Sequence, residues 1–353
     1  MTVDPIPHQD PVLDALADTS ARAGLPDLAQ RLTELAALLQ SDLAGVETAL
    51  TALGDSADDV ATRAAQHLLA RPGKRIRATA VLLAARLGKG PGPGDRELTR
   101  DLAVAAELVH AATLLHDDVI DLGDERRGAP AARIVYGNTA SILGGDHLLV
   151  EALRRVRPPL LDEILGVIGE MIRAEALQLV RRADLGRVTA ESPAQRSEAY
   201  LTVARGKTAA LFRFCLRAGA TVAGLSRPEI DALGRFGEAL GLAFQLVDDV
   251  LDLEGDPVVT GKSVHSDLRE GKLTWPVLIA LERDPKLAEL LKAEDVALDA
   301  IADRVKRTEA AAATRETAAI WVEQAMADLF QAPPSPARRA FEVLAREGLS
   351  RKR

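Results

Sequence analysis

Residues 107–121 read ELVHAATLLHDDVID, an apolar run from Leu108 to Leu115 that ends in three carboxylates. Residues 241–252, GLAFQLVDDVLD, repeat the pattern: Leu240 to Val247 is apolar and a second DDxxD follows. On a helix, residues four apart share a face, so Asp117 pairs with Asp121 and Asp248 with Asp252. Asp118 and Asp249 lie about 100° round the axis, where they suit orienting or bridging roles. Three carboxylates at the end of an apolar helix repel one another and are costly to desolvate without a counter-charge. Hard oxygen ligands in an open arrangement suit Mg²⁺, which keeps several waters and completes its shell with substrate phosphates. One such motif could be an exposed acidic helix end. Two in matching apolar contexts predict two facing Mg²⁺ sites with a diphosphate held between them.

Composition narrows the class. Hydrophobic residues make up 47% of the 353-residue chain and aromatics only 3%, so Ala, Leu and Val must build the core. Long β-branched and aromatic runs are missing, which favours helices over a sheet. The formal charge of −8 argues against nucleic acid as a partner. A lone cysteine, Cys215, cannot form an internal disulfide and fits a reducing, cytoplasmic setting. The opening residues lack a signal-like apolar core, and no stretch is long and apolar enough to predict a transmembrane helix.

Outside the two motifs, the chain divides into helices and polar breaks. Residues 1–26, rich in Pro and Asp, read as a flexible lead-in, and 27–353 as one all-α domain. Helical periodicity starts near Asp27, and a second helix covers Val60 to Leu69. The cluster GKRIR at 73–77 then enters an apolar helix, Ala78 to Leu87; Lys74, Arg75 and Arg77 beside a glycine suit an anion clamp. Residues 88–95, GKGPGPGD, read as a loop. His110 lies two turns before Asp117 and shares its face, and Arg126 and Arg127 follow the motif closely. Tyr136 to Leu149 reads as a helix interrupted by Gly144-Gly145, with Asp146 and His147 unassigned. Leu160 to Val180 carries Glu175 and Gln178, and Ala199 to Phe214 embeds Lys207 and Thr208, a polar pair facing a pocket. Gln245 precedes the second motif; a loop from Leu253 to Ser266 contains Lys262, and Lys272 follows.

From about residue 30 onward the chain resembles the trans-isoprenyl diphosphate synthases, or polyprenyl synthetases. Seven pieces stand in the family's order: GKRIR at 73–77, ELVHAATLLHDDVID at 107–121, RRG at 126–128, GKTAALF at 206–212, GLAFQLVDDVLD at 241–252, GK at 261–262 and DLREGK at 267–272. The resemblance implies the isoprenoid synthase fold, an all-α bundle of about ten to thirteen helices around a central cavity. It also implies an allylic diphosphate bound through about three Mg²⁺, with Asp117, Asp121 and Asp248 as direct ligands and Asp118, Asp249 and Asp252 in support. Arg126, Lys207 and Lys272 would neutralise the departing diphosphate, and Lys262 belongs to the loop that closes over it. Isopentenyl diphosphate would sit in a metal-free basic pocket formed by Lys74, Arg75, Arg77, His110 and Arg127. Lys207, Thr208 and Gln245 would face the allylic cation as stabilising dipoles. Ala78 departs from the family, whose members commonly carry proline there.

The family sets product length by bulk just before the first DDxxD. Thr113 and Ala112, with Val109 and Leu108 one turn deeper, include no aromatic, which implies a product of twenty carbons or more. The family also implies a homodimer. A class I terpene cyclase shares the fold but has an Asn/Asp, Ser/Thr, Glu second motif, where this chain has DDVLD. Neither a cyclase nor a head-to-head coupling enzyme of the squalene type has use for the basic pocket. A non-catalytic subunit that shapes a partner's product would have lost the aspartates or the basic clamp, and both are present.

Overall fold

Capping residues and apolar stripes place the helices. The computed structural model describes residues 26–53, 59–71, 73–90, 92–254, 265–292 and 298–347. The expected lead-in lies outside these residues except for Pro26, and Lys262 lies outside them too. The chain opens with α1 (Pro26–Ala52), α2 (Val60–Leu69), α3 (Ile76–Ala84) and α4 (Pro93–Ile120). A hairpin of β1 (Glu125–Arg126) and β2 (Ala129–Pro130) leads to α5 (Ala132–Tyr136), α6 (Asn138–Arg155) and α7 (Leu160–Arg182). Next come α8 (Leu185–Ala190), α9 (Pro193–Ala204), a π turn (Arg205–Ala209), α10 (Ala210–Val222) and α11 (Arg227–Glu254). The rest is α12 (Ser266–Arg269), α13 (Trp275–Arg283), α14 (Leu287–Leu291), α15 (Leu298–Arg307), α16 (Ala310–Leu329) and α17 (Pro336–Glu347). Apart from the hairpin, the described residues are helix and connection, as the all-α expectation requires.

Local chemistry explains several starts. Asp59 accepts from the Ala61 and Thr62 amides at 2.9 and 3.0 Å, satisfying donors that the first turn of α2 leaves open. Ser192 and Gln195 form a reciprocal capping box on α9, with Pro193 at its first position. Pro93 starts α4 inside the expected loop at 88–95, because a proline at the first helical position sacrifices no hydrogen bond. Three further boundaries differ from expectation. The Gly144-Gly145 pair does not interrupt α6, since both glycines are buried where larger residues would collide with α2 and His116. The helix expected over Ala199 to Phe214 is broken by the π turn, and α12 begins at Ser266.

The chain forms two compact units, to which α7, α10, α11 and α16 each contribute in both cases. The first comprises residues up to Ile164 together with Phe214–Gly234 and Asp328–Glu347. In its core α4 packs against α6, α3, α1 and α2, and Leu102, Leu108, Val109, Leu115, Phe214 and Phe341 are fully buried. The second comprises Leu165–Arg213 and Arg235–Ala327. Val277, Leu281, Leu287 and Ile301 form its core across α13, α14 and α15. Both tryptophans lie here: Trp275 is 5.1 Å from Tyr200 and 6.0 Å from Trp321, ring centre to ring centre.

Candidate active site

The first aspartate motif ends α4 against the grain of helix electrostatics. Carboxylates are unfavourable at the negative end of a helix dipole, yet Asp117, Asp118 and Asp121 all sit in its final turn or at its cap. The end is closed by a Gly123 amide donating to the Asp118 carbonyl at 2.9 Å, with Leu122 left-handed (φ 56°) and exposed. Arg133 compensates by donating to the Gly123 and Leu122 carbonyls and to Asp124. Arg126 donates twice to Asp118 Oδ1, at 2.8 and 2.5 Å. Asp118 is almost wholly buried; burial raises its pKa while Arg126 opposes the shift. Asp117 and Asp121 are half-exposed, so the pair predicted to share a face is the pair available to a ligand.

The hairpin supplies the arginines. Arg127 and Gly128 both have positive φ, 53° and 72°, the signature of a tight two-residue turn matched to strand twist. Arg126, just before the bend, goes to Asp118, and Arg127, within it, goes to the Arg71 carbonyl, 3.2 Å away. A Cβ on Gly73 would meet the Arg127 guanidinium at 3.2 Å, so the glycine of GKRIR makes room for it. His110 is half-buried, and its pKa is held well below the usual range by burial and then by Arg77, Arg127, Arg126 and Arg75. Its imidazole is therefore neutral at physiological pH, and the arginines carry the positive charge.

Arg75 has a different employment from its neighbours. It caps α3 in a left-handed conformation (φ 48°) and is buried. Its guanidinium forms a two-point ion pair with Glu47, at 2.5 and 3.0 Å, and lies 3.6 Å from Glu107. Burial disfavours its charge, but the two glutamates outweigh that cost and raise its pKa. Buried Glu107 also accepts the Ala78 amide at 3.1 Å. The alanine that departs from the family pattern therefore makes a bond that proline cannot.

In the second unit the second motif sits on a connected polar network. Gly206, in the π turn, lies so close to α7 that a Cβ would stand 2.6 Å from the Ala174 methyl. That approach brings Lys207 Nζ to Glu175 at 2.6 Å and to Gln178 at 3.2 Å. Thr208 donates to Gln245 at 2.7 Å, and Gln245 donates to Asp249 at 2.9 Å. Asp249 accepts further bonds from the Tyr200 hydroxyl at 2.6 Å and the Trp275 amide at 3.0 Å. Burial pushes its pKa up to about 6, against these donors. Asp252 accepts from the Ser266 and Asp267 amides and so fastens the start of α12. Asp248 alone of the three is exposed. Lys272 pairs with Glu270 at 2.5 Å, and half-buried Asp267 is pushed up to about 7 by desolvation and the charges of Asp252 and Asp249.

Both units thus carry a carboxylate motif with one buried, hydrogen-bonded aspartate and at least one accessible partner. A family description, Polyprenyl synthetase, matches residues 58–308. The chain belongs to the polyprenyl synthetase family. Its relatives include heptaprenyl diphosphate synthase component 2 of Geobacillus stearothermophilus, 35% identical over 323 residues that cover 89% of this chain and 97% of that protein. The octaprenyl diphosphate synthase of Escherichia coli strain K12 is 32% identical over 336 residues, 92% of this chain and 99% of the relative. A crystal structure of a polyprenyl synthase from Caulobacter crescentus, complexed with calcium and isoprenyl diphosphate, superposes with a TM-score of 0.81 at 34% identity, covering 90% of this chain and 96% of that one. A polyprenyl synthetase is a transferase of prenyl groups, and this chain is an enzyme of that class. Among the described residues no helix is long and apolar enough to cross a membrane.

Sequence reasoning missed parts of this polyprenyl synthetase site. Tyr200 and Trp275 are 49 and 26 residues from Asp249, and no local pattern links them to it. Asp267 was legible only as the first letter of DLREGK. Glu47 carried no signal, because its partner Arg75 lies across a helix pair.

Proposed function

We propose that this enzyme is a chain-elongating trans-prenyltransferase that condenses isopentenyl diphosphate with an allylic diphosphate and uses Mg²⁺. Mg²⁺ takes one or two carboxylates and fills its shell with water and phosphate oxygens. Asp117 and Asp121 in one motif and Asp248 in the other would hold it, and all are solvent-accessible. When bound, Mg²⁺ neutralises the substrate's diphosphate and so favours heterolysis of the allylic C–O bond.

The side chains account for the rest. By the family resemblance Lys207, Lys272 and Arg126 would neutralise the leaving diphosphate; Lys207 is fixed by Glu175 and Gln178, Lys272 by Glu270 and Arg126 by Asp118. The bonding pair leaves with the diphosphate and an allylic cation remains. A π turn leaves a carbonyl outside the i→i+4 ladder, which lets the Lys207–Thr208 backbone, with Gln245, turn dipoles to that cation. Lys74, Arg77, Arg127 and neutral His110 clamp isopentenyl diphosphate, whose double bond attacks the cation; proton loss then restores an alkene. Arg75 supports this clamp by positioning α3. By the same resemblance Lys262, which lies outside the described residues, would bind the diphosphate. The observation that carries the reading is the gathering of Arg75, Arg77, Arg126 and Arg127 within electrostatic reach of His110, on the helix that ends in the first motif.

The product has twenty carbons or more. Leu108, Val109 and Ala112 are fully buried and none is aromatic, while Thr113 turns its hydroxyl back to the His110 carbonyl at 2.8 Å. Relatives named for heptaprenyl and octaprenyl products favour the long end of that range. We also infer a homodimer, for which Ile134, Val135, Ile142, Leu143 and Val150 offer an exposed apolar face in the first unit. A second reading, an unlike partner subunit, is favoured by the relative named as a component 2.

The test is a reaction of purified protein with Mg²⁺, labelled isopentenyl diphosphate and allylic primers of different length, with products dephosphorylated and sized. A ladder ending at one dominant length, abolished by Asp117→Ala, is expected. Primer turnover without incorporated label would instead indicate a cyclase, and inactivity with every primer a subunit awaiting its partner.

A further inference from the structure

The hairpin that carries Arg126 and Arg127 is too short to hold itself. Each strand has two residues, with Glu125 opposite Pro130 and Arg126 opposite Ala129, and even a longer two-stranded ribbon is marginal alone in water. Its place therefore comes from outside. On the β1 side Arg126 is seated on Asp118, and Arg133 donates to the Leu122 and Gly123 carbonyls. On the β2 side the anchor is α2. His67, in the last turn of α2, brings its Nε2 to 2.8 Å from the carbonyl of Pro130, 63 residues along the chain. Pro130 has no amide, so its carbonyl is the one backbone group by which that residue can be held. Tyr136, on α5, meets the imidazole edge-on with ring centres 5.6 Å apart and restricts its rotation. The same end of α2 receives Arg127, which donates to the Arg71 carbonyl at 3.2 Å. α2 thus meets the hairpin at its turn, through Arg127, and again three residues later, through Pro130. All of these residues lie in the first unit.

The His67 Nε2 has a second neighbour, the Arg71 guanidinium, 3.0 Å away. One ring nitrogen donates or accepts and cannot do both. As an acceptor it would take Arg71 and set its lone pair against the Pro130 carbonyl. As a donor it satisfies the closer contact, and half-exposed Arg71 has water as an alternative acceptor. We propose that His67 is a positioning residue for the isopentenyl diphosphate clamp: its Nε2–H holds the Pro130 carbonyl and thereby the bend that aims Arg127. The proposal rests on the reading of the chain as a prenyltransferase and deepens it. Arg126 keeps its own seat on Asp118, so loss of the His67 bond disturbs the Arg127 side of the hairpin and spares the allylic side.

The experiment compares full-length wild type with three variants. His67→Leu removes the donor. His67→Gln carries an amide long enough to place an N–H where Nε2–H stands, and the shorter amide of His67→Asn cannot reach Pro130. Steady-state kinetics with Mg²⁺ give KM for isopentenyl diphosphate, KM for geranylgeranyl diphosphate and kcat. His67→Leu and His67→Asn raise the first about fivefold, the scale of one net hydrogen bond, and leave the other two within about twofold. His67→Gln returns it to within about twofold of wild type. Trypsin cleavage after Arg126 and Arg127 in the unliganded proteins reads the hairpin without any activity. It quickens several-fold in the leucine and asparagine variants and not in the glutamine variant. An unchanged isopentenyl diphosphate KM in both donor-free variants overturns the proposal. So does a rise shared by both substrates, or one that glutamine leaves uncorrected, since either marks His67 as packing alone. If the wild type incorporates no isopentenyl diphosphate, the prenyltransferase reading fails by itself, and the trypsin comparison decides whether His67 holds the hairpin; equal cleavage of all four proteins overturns that too.

Discussion

Replacing Arg75 by leucine separates positioning from substrate binding within GKRIR. Arg75 is 8% exposed and Glu47 31%, and their two-point pair is backed by Glu107, which is itself buried. Removing one partner of a buried ion pair leaves an uncompensated charge and costs about 3–5 kcal/mol. Glu47 can reach water in the variant, and Glu107 keeps the Ala78 amide, so the lower end applies: about 3 kcal/mol. At about 2.1 cal/mol/K of unfolding entropy per residue, that lowers the melting temperature of this 353-residue chain by roughly 4 °C. Arg77→Leu, two residues on in the first turn of α3, should leave the melting temperature within about a degree and raise KM for isopentenyl diphosphate tenfold or more. Arg75→Leu, assayed below its melting transition, should leave that KM within about threefold. Thermal melts followed by circular dichroism and steady-state kinetics at saturating allylic primer read both quantities. Arg75→Leu with a wild-type melt and a tenfold higher KM would refute the positioning role, because its guanidinium would then be on the substrate.

Ala78→Pro, which restores the residue common in the family, should destabilise this chain by about 1.5–3 kcal/mol in urea titrations, since Glu107 loses its amide donor. In EDTA, Asp267→Asn should gain stability relative to wild type as pH rises from 5 to 8. Wild-type Asp267, whose pKa burial raises to about 7, keeps its folding advantage below the unfolded carboxylate pKa and loses it as pH climbs through 7, whereas asparagine never ionises; a pH-independent difference between the two melts would contradict this. Cys215, buried with its thiol pushed up to about 12, should resist a thiol reagent at pH 8 in native protein and react fully in guanidinium; rapid native labelling would contradict its burial. Ile142→Asp combined with Leu143→Asp should shift sedimentation from dimer towards monomer, and an unchanged coefficient would exclude this face as the contact.

Much of the site was readable along the chain because helices turn sequence spacing into geometry. The four-residue spacing put Asp117 with Asp121 on the accessible side and sent Asp118 and Asp249 inward, where the structure finds them buried and bonded. Lys207 and Thr208 announced themselves as polar residues in an apolar helix, and their polar partners are present. The spacing could not show that a π turn breaks that helix, since no hydrophobic period marks a single i→i+5 bond. Nor could it divide the basic cluster by role: Lys74, Arg75 and Arg77 are equivalent as letters.

The sequence by itself determined the helical class, the two carboxylate motifs and the family, because apolar periodicity and short motifs are local and survive without knowledge of packing. Tertiary structure alone decided which charges are free to meet a ligand. Arg75 is spent on Glu47, 28 residues away, and Asp249 is held by Tyr200 and Trp275 from two other segments. Arg196, by contrast, is buried with its guanidinium on the Thr189 and Glu191 carbonyls, and among the described residues no carboxylate pairs with it. Electrostatic pairing depends on distance in space and on exclusion of water, and neither is encoded in spacing along one helix.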